Sequence, residues 1–257
     1  MADIHPTAIV APSAELDADI AIGPYCVVGP RVRIGRGSRL ISHVVVDGWT
    51  TVGEQCTFYP FASVGLQTQD LKYKGGRPGV RIGDRVTLRE SVTVNAATFD
   101  GDLTTLGDDG HIMAYAHIAH DCHVGNKVIM ANAATLAGHV IVEDQCIIGG
   151  LTGVHQFVKL GRLSIIGGCS KVVKDVPPFM MADGNPLAVH TINKVGLERA
   201  GISEATQKAL RDAFKILYRR NLTAEQALAE MAASLPPSPE LDHFTAFVRA
   251  SERGVTR

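Results

Sequence analysis

The sequence predicts a mainly β protein in which short parallel strands wind into a coil, followed by a helical C-terminal region. Three observations predict this fold class. An apolar residue recurs every six positions from residue 4 to residue 172, and glycine often stands beside it. Beyond that repeat, helix-capping residues precede segments whose apolar residues follow a helical period.

The six-residue period is the strongest of these signals. Steps of six from Ile4 lead to Val172, and 26 of the 29 positions on this path are Ile, Leu, Val, Met or Phe. The 46% hydrophobic content of the chain would place about half as many there by chance. Each unit therefore predicts one short strand and one turn, with two side chains that point inward.

Two other positions of the unit are also restricted. The residue after the apolar position is often glycine, as at Gly23, and we expect it to supply turn angles that a Cβ would forbid. The residue two positions before the apolar one is small or β-branched, and this position includes Cys26, Cys56, Cys122 and Cys146. We expect these cysteines to be buried core residues rather than metal ligands or nucleophiles.

Two segments interrupt the repeat, at residues 68–79 and 98–105, and the register resumes unchanged at Ile82 and Leu106. We expect both to be loops extruded from an intact coil, where functional groups concentrate. The prolines of "KDVPPF" at 174–179 cannot continue a strand ladder. The predicted domains are therefore a coil over residues 1–185 and a helical domain over residues 186–257.

Helix signals follow one another in the second domain. Ser203 can cap "EATQKALRDAFKILYRR", Thr223 and Gln226 form a capping box, and Ser238-Pro239 opens a last helix. One face of the first helix is basic, and it consists of Lys208, Arg211, Lys215 and Arg219. This stripe predicts either a solvated face or a docking surface for an acidic protein.

Composition narrows the function classes. The net charge of −1 and the pI of about 6.8 do not favour nucleic acid as a partner. No segment reaches the ~18 apolar residues of a membrane span, and the N-terminus lacks the features of a signal peptide. Five cysteines without close pairs fit a reducing compartment, so we expect a soluble cytoplasmic protein.

The repeat resembles that of the hexapeptide-repeat acyltransferases. This resemblance implies a left-handed parallel β-helix with three units per coil, and a homotrimer with active sites between neighbouring subunits. Residues 18 apart would then stack in adjacent strands, about 4.8 Å from each other. His120 would share a column with Gly138 and Gln156, while His139 would stack on Asp121 in the next column.

His155 would lie on the other side of this column, so three histidines, a carboxylate and an amide converge on one patch. His120 suits proton removal near neutral pH, and a carboxylate such as Asp121 can fix the tautomer of an imidazole. The backbone N–H of Gly138 is accessible enough to serve as an oxyanion donor. The sequence leaves the direction of the Asp121 side chain open.

A closer resemblance follows from motifs that occur in order along the whole chain. They are "HPTAIV", "SHVVV", "QDLKY", "AHIAHDC", "NAATLAGHV", "VHQF", "GGCSKV", "DVPP" and "GNP". They are similar to those of the UDP-N-acetylglucosamine acyltransferases, which begin lipid A synthesis. The resemblance implies transfer of an (R)-3-hydroxyacyl chain from acyl carrier protein to the C3 position of UDP-GlcNAc, without a metal or an organic cofactor.

The same resemblance implies roles for individual residues. His120 would be the general base, Asp121 its support and Gly138 N–H the oxyanion donor. Acyl-chain length would depend on Gly168 and Lys171, and the basic helix face would meet the acidic carrier protein. Contacts with the sugar nucleotide are implied for Asp70, Lys72, His117, His139, His155, Gln156, Asn193 and Arg199.

Departures from the family and rival interpretations remain. Pro186 replaces a frequent histidine, so a nucleotide contact from that side chain is absent. Thr68 replaces a frequent amide, which leaves the acceptor open between UDP-GlcNAc and its 3-amino analogue. A zinc enzyme of the γ-carbonic-anhydrase type would use His117, His120 and His123 as ligands. However, His117 and His123 are one unit apart, so one ion would join them only across subunits. A non-enzymatic scaffold would give no reason for the convergence at His120.

Overall fold

The computed structural model describes residues 2–257. Its first fifteen strands are β1 (Asp3–Ile4), β2 (Ile9–Val10), β3 (Glu15–Leu16), β4 (Ala21–Ile22), β5 (Val27–Val28), β6 (Arg33–Ile34), β7 (Arg39–Leu40), β8 (Val45–Val46), β9 (Trp49–Val52), β10 (Thr57–Phe58), β11 (Ser63–Leu66), β12 (Gly79–Ile82), β13 (Thr87–Leu88), β14 (Thr93–Asn95) and β15 (Leu103–Leu106).

The strands continue with β16 (His111–Ile112), β17 (His117–Ile118), β18 (His123–Val124), β19 (Ile129–Met130), β20 (Thr135–Leu136), β21 (Ile141–Val142), β22 (Ile147–Ile148), β23 (Gly153–Val154), β24 (Lys159–Leu160), β25 (Ile165–Ile166), β26 (Lys171–Val172), β27 (Met180–Asp183) and β28 (Ala188–Ile192). The helices are α1 (Lys194–Arg199), α2 (Glu204–Arg219), α3 (Ala224–Ser234) and α4 (Pro239–Arg249).

The strands form the three faces of a left-handed parallel β-helix, which confirms the predicted fold class. Every third strand pairs with the next in parallel, so that the faces contain eleven, nine and eight strands. Ile4 pairs with Ile22, as a period of three six-residue units requires. After the second interruption the register resumes where the sequence placed it, because Ile82 pairs with Leu106.

The core fills the inside of the coil with two residues per unit. The second residue of a strand is buried, as at Ile22, and the small residue before the strand is buried as well, as at Val32. Cys26, Cys56, Cys122 and Cys146 are all buried, as predicted. Burial raises the pKa of the Cys122 thiol to about 12, which leaves it protonated and unreactive.

The glycines of the repeat serve a different purpose from the predicted one. Left-handed backbone angles occur at other turn residues, among them Tyr25 with φ of 58° and His43 with φ of 52°. Gly23 does not adopt positive φ; instead a Cβ there would lie 1.8 Å from the carbonyl oxygen of Ile41. Close approach of the next coil, rather than backbone angle, therefore requires this glycine.

Both interruptions begin and end earlier than the predicted loops. The first connects Leu66 to Gly79 and the second connects Asn95 to Leu103, since Gly79 already pairs with Trp49 and with Leu103. Residues 103–105 therefore belong to β15 rather than to a loop.

Strand pairing also continues beyond the two prolines at 177 and 178, contrary to the sequence expectation. Leu160 bridges to Val176, and β27 pairs in parallel with β25 before it turns back into β28. The two prolines are accommodated because they lie between the bridge at Val176 and the start of β27, where no ladder hydrogen bond needs their missing N–H groups. The predicted boundary between residues 185 and 186 falls in the turn of this antiparallel hairpin.

The C-terminal helices begin at the predicted capping residues. Ser203 caps α2, Thr223 and Gln226 form the capping box of α3, and Ser238 caps α4 with proline in its first turn. The short helix α1, capped by Asn193, had no predicted counterpart. Among residues 2–257, no helix combines the length and apolar character that a membrane crossing would need.

Candidate active site

The turn after β17 carries His120 and Asp121, and the turn after β20 carries Gly138 and His139 in the same positions one coil later. The predicted columns are present: the N–H of His139 donates to the carbonyl of His120 at 3.0 Å. The His139 ring stacks on Phe157 of the following coil, with centroids 4.6 Å apart. The six-residue period, together with the three units per coil that the family resemblance implied, therefore placed these side chains beside one another correctly.

The orientation of Asp121, which the sequence left open, is toward His120. Its Oδ2 lies 2.8 Å from Nδ1 of His120, and both side chains are largely buried. A carboxylate accepts hydrogen bonds only, so this contact places the imidazole proton on Nδ1. The lone pair of Nε2 is then free to remove a proton, as in other imidazole bases with a carboxylate partner.

Two threonines that sequence reasoning missed hold Asp121 in place. The backbone N–H of Thr98 donates to Oδ1 of Asp121 at 3.2 Å, and Oγ1 of Thr104 accepts the backbone N–H of Asp121 at 2.9 Å. The Thr98 hydroxyl also lies 3.1 Å from Nδ1 of His120. The available signal was their position in the segment 98–105, because interruptions of a repeat concentrate functional groups.

The side chain that Gly138 lacks would collide with the base. A Cβ at this position would lie 2.5 Å from Nε2 and 2.3 Å from Cε1 of His120. Among residues 2–257, no group accepts a hydrogen bond from the Gly138 N–H. A free N–H can donate a hydrogen bond to an oxyanion, and a free imidazole nitrogen can accept a proton. Acyl transfer requires both groups side by side.

A cavity of about 490 Å³ opens over this turn. The predicted residues that line it are Asp70, Lys72, His117, His120, His139 and Gln156. Asp70 accepts the backbone N–H of Lys72 at 2.9 Å, which orders a turn within the loop between β11 and β12. The cavity wall also contains Asn95, which sequence reasoning missed.

His117 lies on β17, the strand that leads into the turn of His120 and Asp121. Its Nδ1 is 2.6 Å from the hydroxyl of Thr93, and burial lowers the pKa of the imidazole below its ordinary value of 6.5. The ring is therefore neutral at neutral pH, and its other nitrogen is left for a ligand.

Three predicted contact residues lie elsewhere in the single chain. His155 is exposed and its Nδ1 lies 3.4 Å from Arg253 rather than in the cavity. Asn193 is buried, and both ends of its side-chain amide have partners within the chain. Its Oδ1 accepts the N–H of Gly196, and its amide nitrogen donates to the carbonyl of Leu163. Arg199 is exposed in the last turn of α1.

The residues predicted to limit acyl length lie on the outside of the coil. Gly168 is in an exposed turn, and Lys171 points outward from β26. Register pairs connect Lys171 through Gly153 and Thr135 to His117, so all four occupy one column of the nine-stranded face. This column leads away from the cavity along the coil.

A compact group of metal-binding side chains is present, but it differs from the predicted zinc set. Ligand atoms of His120, Asp121 and His139 lie within 4.8 Å of one another and could hold an ion. His117 belongs to the nine-stranded face and His123 to the eight-stranded face, where its Nδ1 contacts Thr105 at 3.0 Å. One chain therefore does not bring His117, His120 and His123 together.

The basic face of α2 is exposed, as the helical period predicted. Lys208, Arg211, Lys215 and Arg219 all face away from the core, whereas Leu210, Phe214 and Leu217 are buried. Only Lys215 of the four forms an ion pair among the described residues, at 2.8 Å from Asp212. Three unpaired cations on one helix face leave a surface suited to an acidic partner.

Comparisons with known proteins identify the family of the chain. Residues 175–256 match the family model described as Udp N-acetylglucosamine O-acyltransferase, Domain 2. The chain is 50% identical to the acyl-[acyl-carrier-protein]–UDP-N-acetylglucosamine O-acyltransferase of Thermodesulfovibrio yellowstonii and 49% identical to that of Verminephrobacter eiseniae, over the full length of each. The solved structure of LpxA from Acinetobacter baumannii is 44% identical, covers 99% of both chains and superposes with a TM-score of 0.96.

Proposed function

Because this chain belongs to the acyl-[acyl-carrier-protein]–UDP-N-acetylglucosamine O-acyltransferase family, we propose that it uses His120 to acylate C3 of UDP-GlcNAc. The chain is an acyltransferase, and the transferred group is an (R)-3-hydroxyacyl chain carried as a thioester on acyl carrier protein. The reaction is the first step of lipid A biosynthesis. The contact of 2.8 Å between His120 and Asp121 is the observation that carries the mechanism.

In the proposed reaction, Nε2 of His120 removes the proton of the C3 hydroxyl while the oxygen attacks the thioester carbonyl. The resulting tetrahedral intermediate carries its negative charge on the former carbonyl oxygen. Collapse breaks the carbon–sulfur bond, and the imidazolium returns the proton to the departing carrier-protein thiolate. General-base assistance of this kind contributes ~10²–10⁴ in rate.

Asp121 and Gly138 support the two charges that develop. The Asp121 carboxylate is already bonded to Nδ1 of His120, so it stabilises the imidazolium without any rearrangement. The free N–H of Gly138 lies beside the imidazole and would donate to the oxyanion. Because glycine has no side chain, the acyl carbonyl can approach both groups.

The acceptor sugar would occupy the cavity between the loop after β11 and the catalytic turn. Asp70, Lys72, His117, His139 and Gln156 surround this space and offer both donors and acceptors to sugar hydroxyls. A 3-amino acceptor could react by the same base, because an amine also loses a proton as it attacks the thioester.

The family resemblance assigns Arg199 and Asn193 to the binding of the nucleotide diphosphate. Arg199 would contact the phosphates directly, whereas Asn193 would act indirectly. Arg199 is exposed, and its guanidinium suits phosphate oxygens. Asn193 would act by fixing the start of α1, since its amide is already occupied by Gly196 and Leu163. His155, which is exposed near Arg253, remains assigned to the edge of the same ligand.

We propose a homotrimer because apolar side chains line one corner of the coil. Tyr25, Phe61, Tyr115 and Leu151 occupy the same turn in different coils, and all are exposed. Leu71, on the loop beside the cavity, is 99% exposed. Several exposed apolar side chains on one corner are typical of subunit interfaces, and neighbouring subunits would cover both the corner and the loop.

The acyl chain would follow the column of the nine-stranded face. With about 4.8 Å between adjacent strands, Lys171 lies roughly 14 Å from His117 along this column. An acyl chain that starts at the catalytic turn would reach Lys171 and the exposed turn of Gly168. The carrier protein would dock on the basic face Lys208, Arg211, Lys215 and Arg219.

One assay tests the reaction, the acceptor and the chain length together. Purified protein is supplied with UDP-GlcNAc or its 3-amino analogue, and with acyl carrier proteins that carry 3-hydroxyacyl chains of graded length. We expect a product whose mass equals acceptor plus one acyl group, and a loss of ~10²–10⁴ in kcat for His120→Ala. An His120→Ala variant with unchanged transfer would overturn the assignment of the base.

A further inference from the structure

We propose that Asn95 is a further positioning residue, whose side-chain amide hydrogen-bonds to the acceptor sugar in the cavity over His120. The inference rests on the proposed function, because it assumes that a sugar nucleotide occupies this cavity. It adds a contact that neither the repeat nor the motifs predicted.

An irregularity in the coil places Asn95 in the cavity wall. The residue ends β14 where the pairing with β11 shifts register between Val64 and Leu66. The next backbone N–H, of Ala96, donates to the carbonyl of Leu66 at 3.0 Å and so anchors the chain at this point. The Asn95 side chain therefore has a fixed origin beside the loop that carries Asp70.

The side chain of Asn95 is buried without a partner for its oxygen. The residue is 7% exposed, and its Oδ1 accepts no hydrogen bond from any group of residues 2–257. Buried side-chain amides normally have partners, because an unsatisfied one opposes folding. Because Oδ1 is covered by protein, a ligand in the cavity can reach only the other end of the amide. Nδ2 also has no partner among residues 2–257, but it is not covered in this way, so its N–H groups are free to donate to the ligand.

The neighbouring groups of the cavity already have their partners. Nδ1 of His117 contacts Thr93, and Nδ1 of His120 contacts Asp121. Asn95 thus adds a neutral amide donor to a cavity wall that it shares with His117 and His120. The hydroxyl and acetyl oxygens of an N-acetylated sugar are acceptors of the matching kind, and such a bond would hold C3 toward Nε2 of His120.

Asn95→Leu tests this proposal because it replaces the amide with an apolar group of similar size. With the orphan acceptor removed, we expect the melting temperature without ligand to stay the same or rise. We expect kcat/KM for the sugar nucleotide to fall ~10–100-fold while the KM for the acyl carrier protein is unchanged. The rise in melting temperature caused by UDP-GlcNAc should shrink accordingly.

Thr152→Val is the matched control, since Thr152 is also buried but its hydroxyl donates to the carbonyl of Gly167 at 3.0 Å. This variant should melt lower and keep the wild-type KM for the sugar. If Asn95→Leu melts lower, with unchanged sugar KM and unchanged stabilisation by UDP-GlcNAc, Asn95 is only structural and the proposal is wrong. Absence of product from the wild-type protein with either acceptor would instead overturn the proposed function.

Discussion

A single methyl group added at Gly138 would test the placement of the general base. The Cβ of Gly138→Ala would lie 2.3 Å from Cε1 and 2.5 Å from Nε2 of His120, whereas ordinary contacts begin at 3.4 Å. The ring must therefore move by about 1 Å, which pulls Nδ1 away from its 2.8 Å contact with Asp121. The backbone itself tolerates alanine, because φ of Gly138 is not positive.

We expect kcat of Gly138→Ala to fall at least ~10²-fold, because a misplacement of about 1 Å of a reacting group costs that much. Steady-state kinetics with both substrates and thermal melting would measure the effect. Gly110→Ala is the control for adding a methyl to a β-helix glycine, since Gly110 lies outside the cavity and the acyl-chain column, and the atoms nearest to its Cβ would be those of the flexible Leu106 side chain, at 3.3 Å or more. It should keep both kcat and melting temperature close to wild type.

A double-mutant cycle separates displacement of the base from damage to the oxyanion donor. If the methyl group acts through the imidazole, adding Gly138→Ala to His120→Ala should cause little further loss, because the displaced group is already absent. Full activity of Gly138→Ala, with wild-type KM values, would refute the position assigned to His120. A further large loss in the His120→Ala background would show that the methyl acts on another group.

Two predictions concern hydrogen bonds between the C-terminal helical region and the coil. The buried Asp175 accepts hydrogen bonds from the Ser251 hydroxyl at 2.6 Å and the Lys159 N–H at 2.8 Å, so Asp175→Ala should lower the free energy of unfolding by ~2–4 kcal/mol in urea titrations. The hydrogen bond to Glu143 raises the pKa of His243 above 6.5. The stabilisation that protonated His243 gives the folded state is complete below pH 6.5, and it is lost as the pH rises through the raised pKa. The free energies of unfolding of wild type and His243→Gln, measured by urea titration, should therefore converge at alkaline pH.

How much of this protein follows from its sequence depends on whether a residue lies inside the repeat. The six-residue period determined the short strands and the register that buries every apolar position. The three faces and the stacking of His139 on Phe157 followed once the family resemblance supplied three units per coil. The N-caps of α2, α3 and α4 were also predicted from the sequence, since a Ser or Thr side chain accepts a hydrogen bond from a free N–H in the first turn of its own helix.

Only the tertiary structure decided which contacts side chains make where the six-residue period is interrupted. Thr98 reaches Asp121 from an interruption whose path no period describes, and Asn95 enters the cavity wall through a register shift. Asn193 has the sequence position of a ligand residue, yet its amide caps α1. The sequence by itself determined which residues stack, because stacking follows from spacing; the direction of each polar side chain was decided by partners that lie far away in the chain.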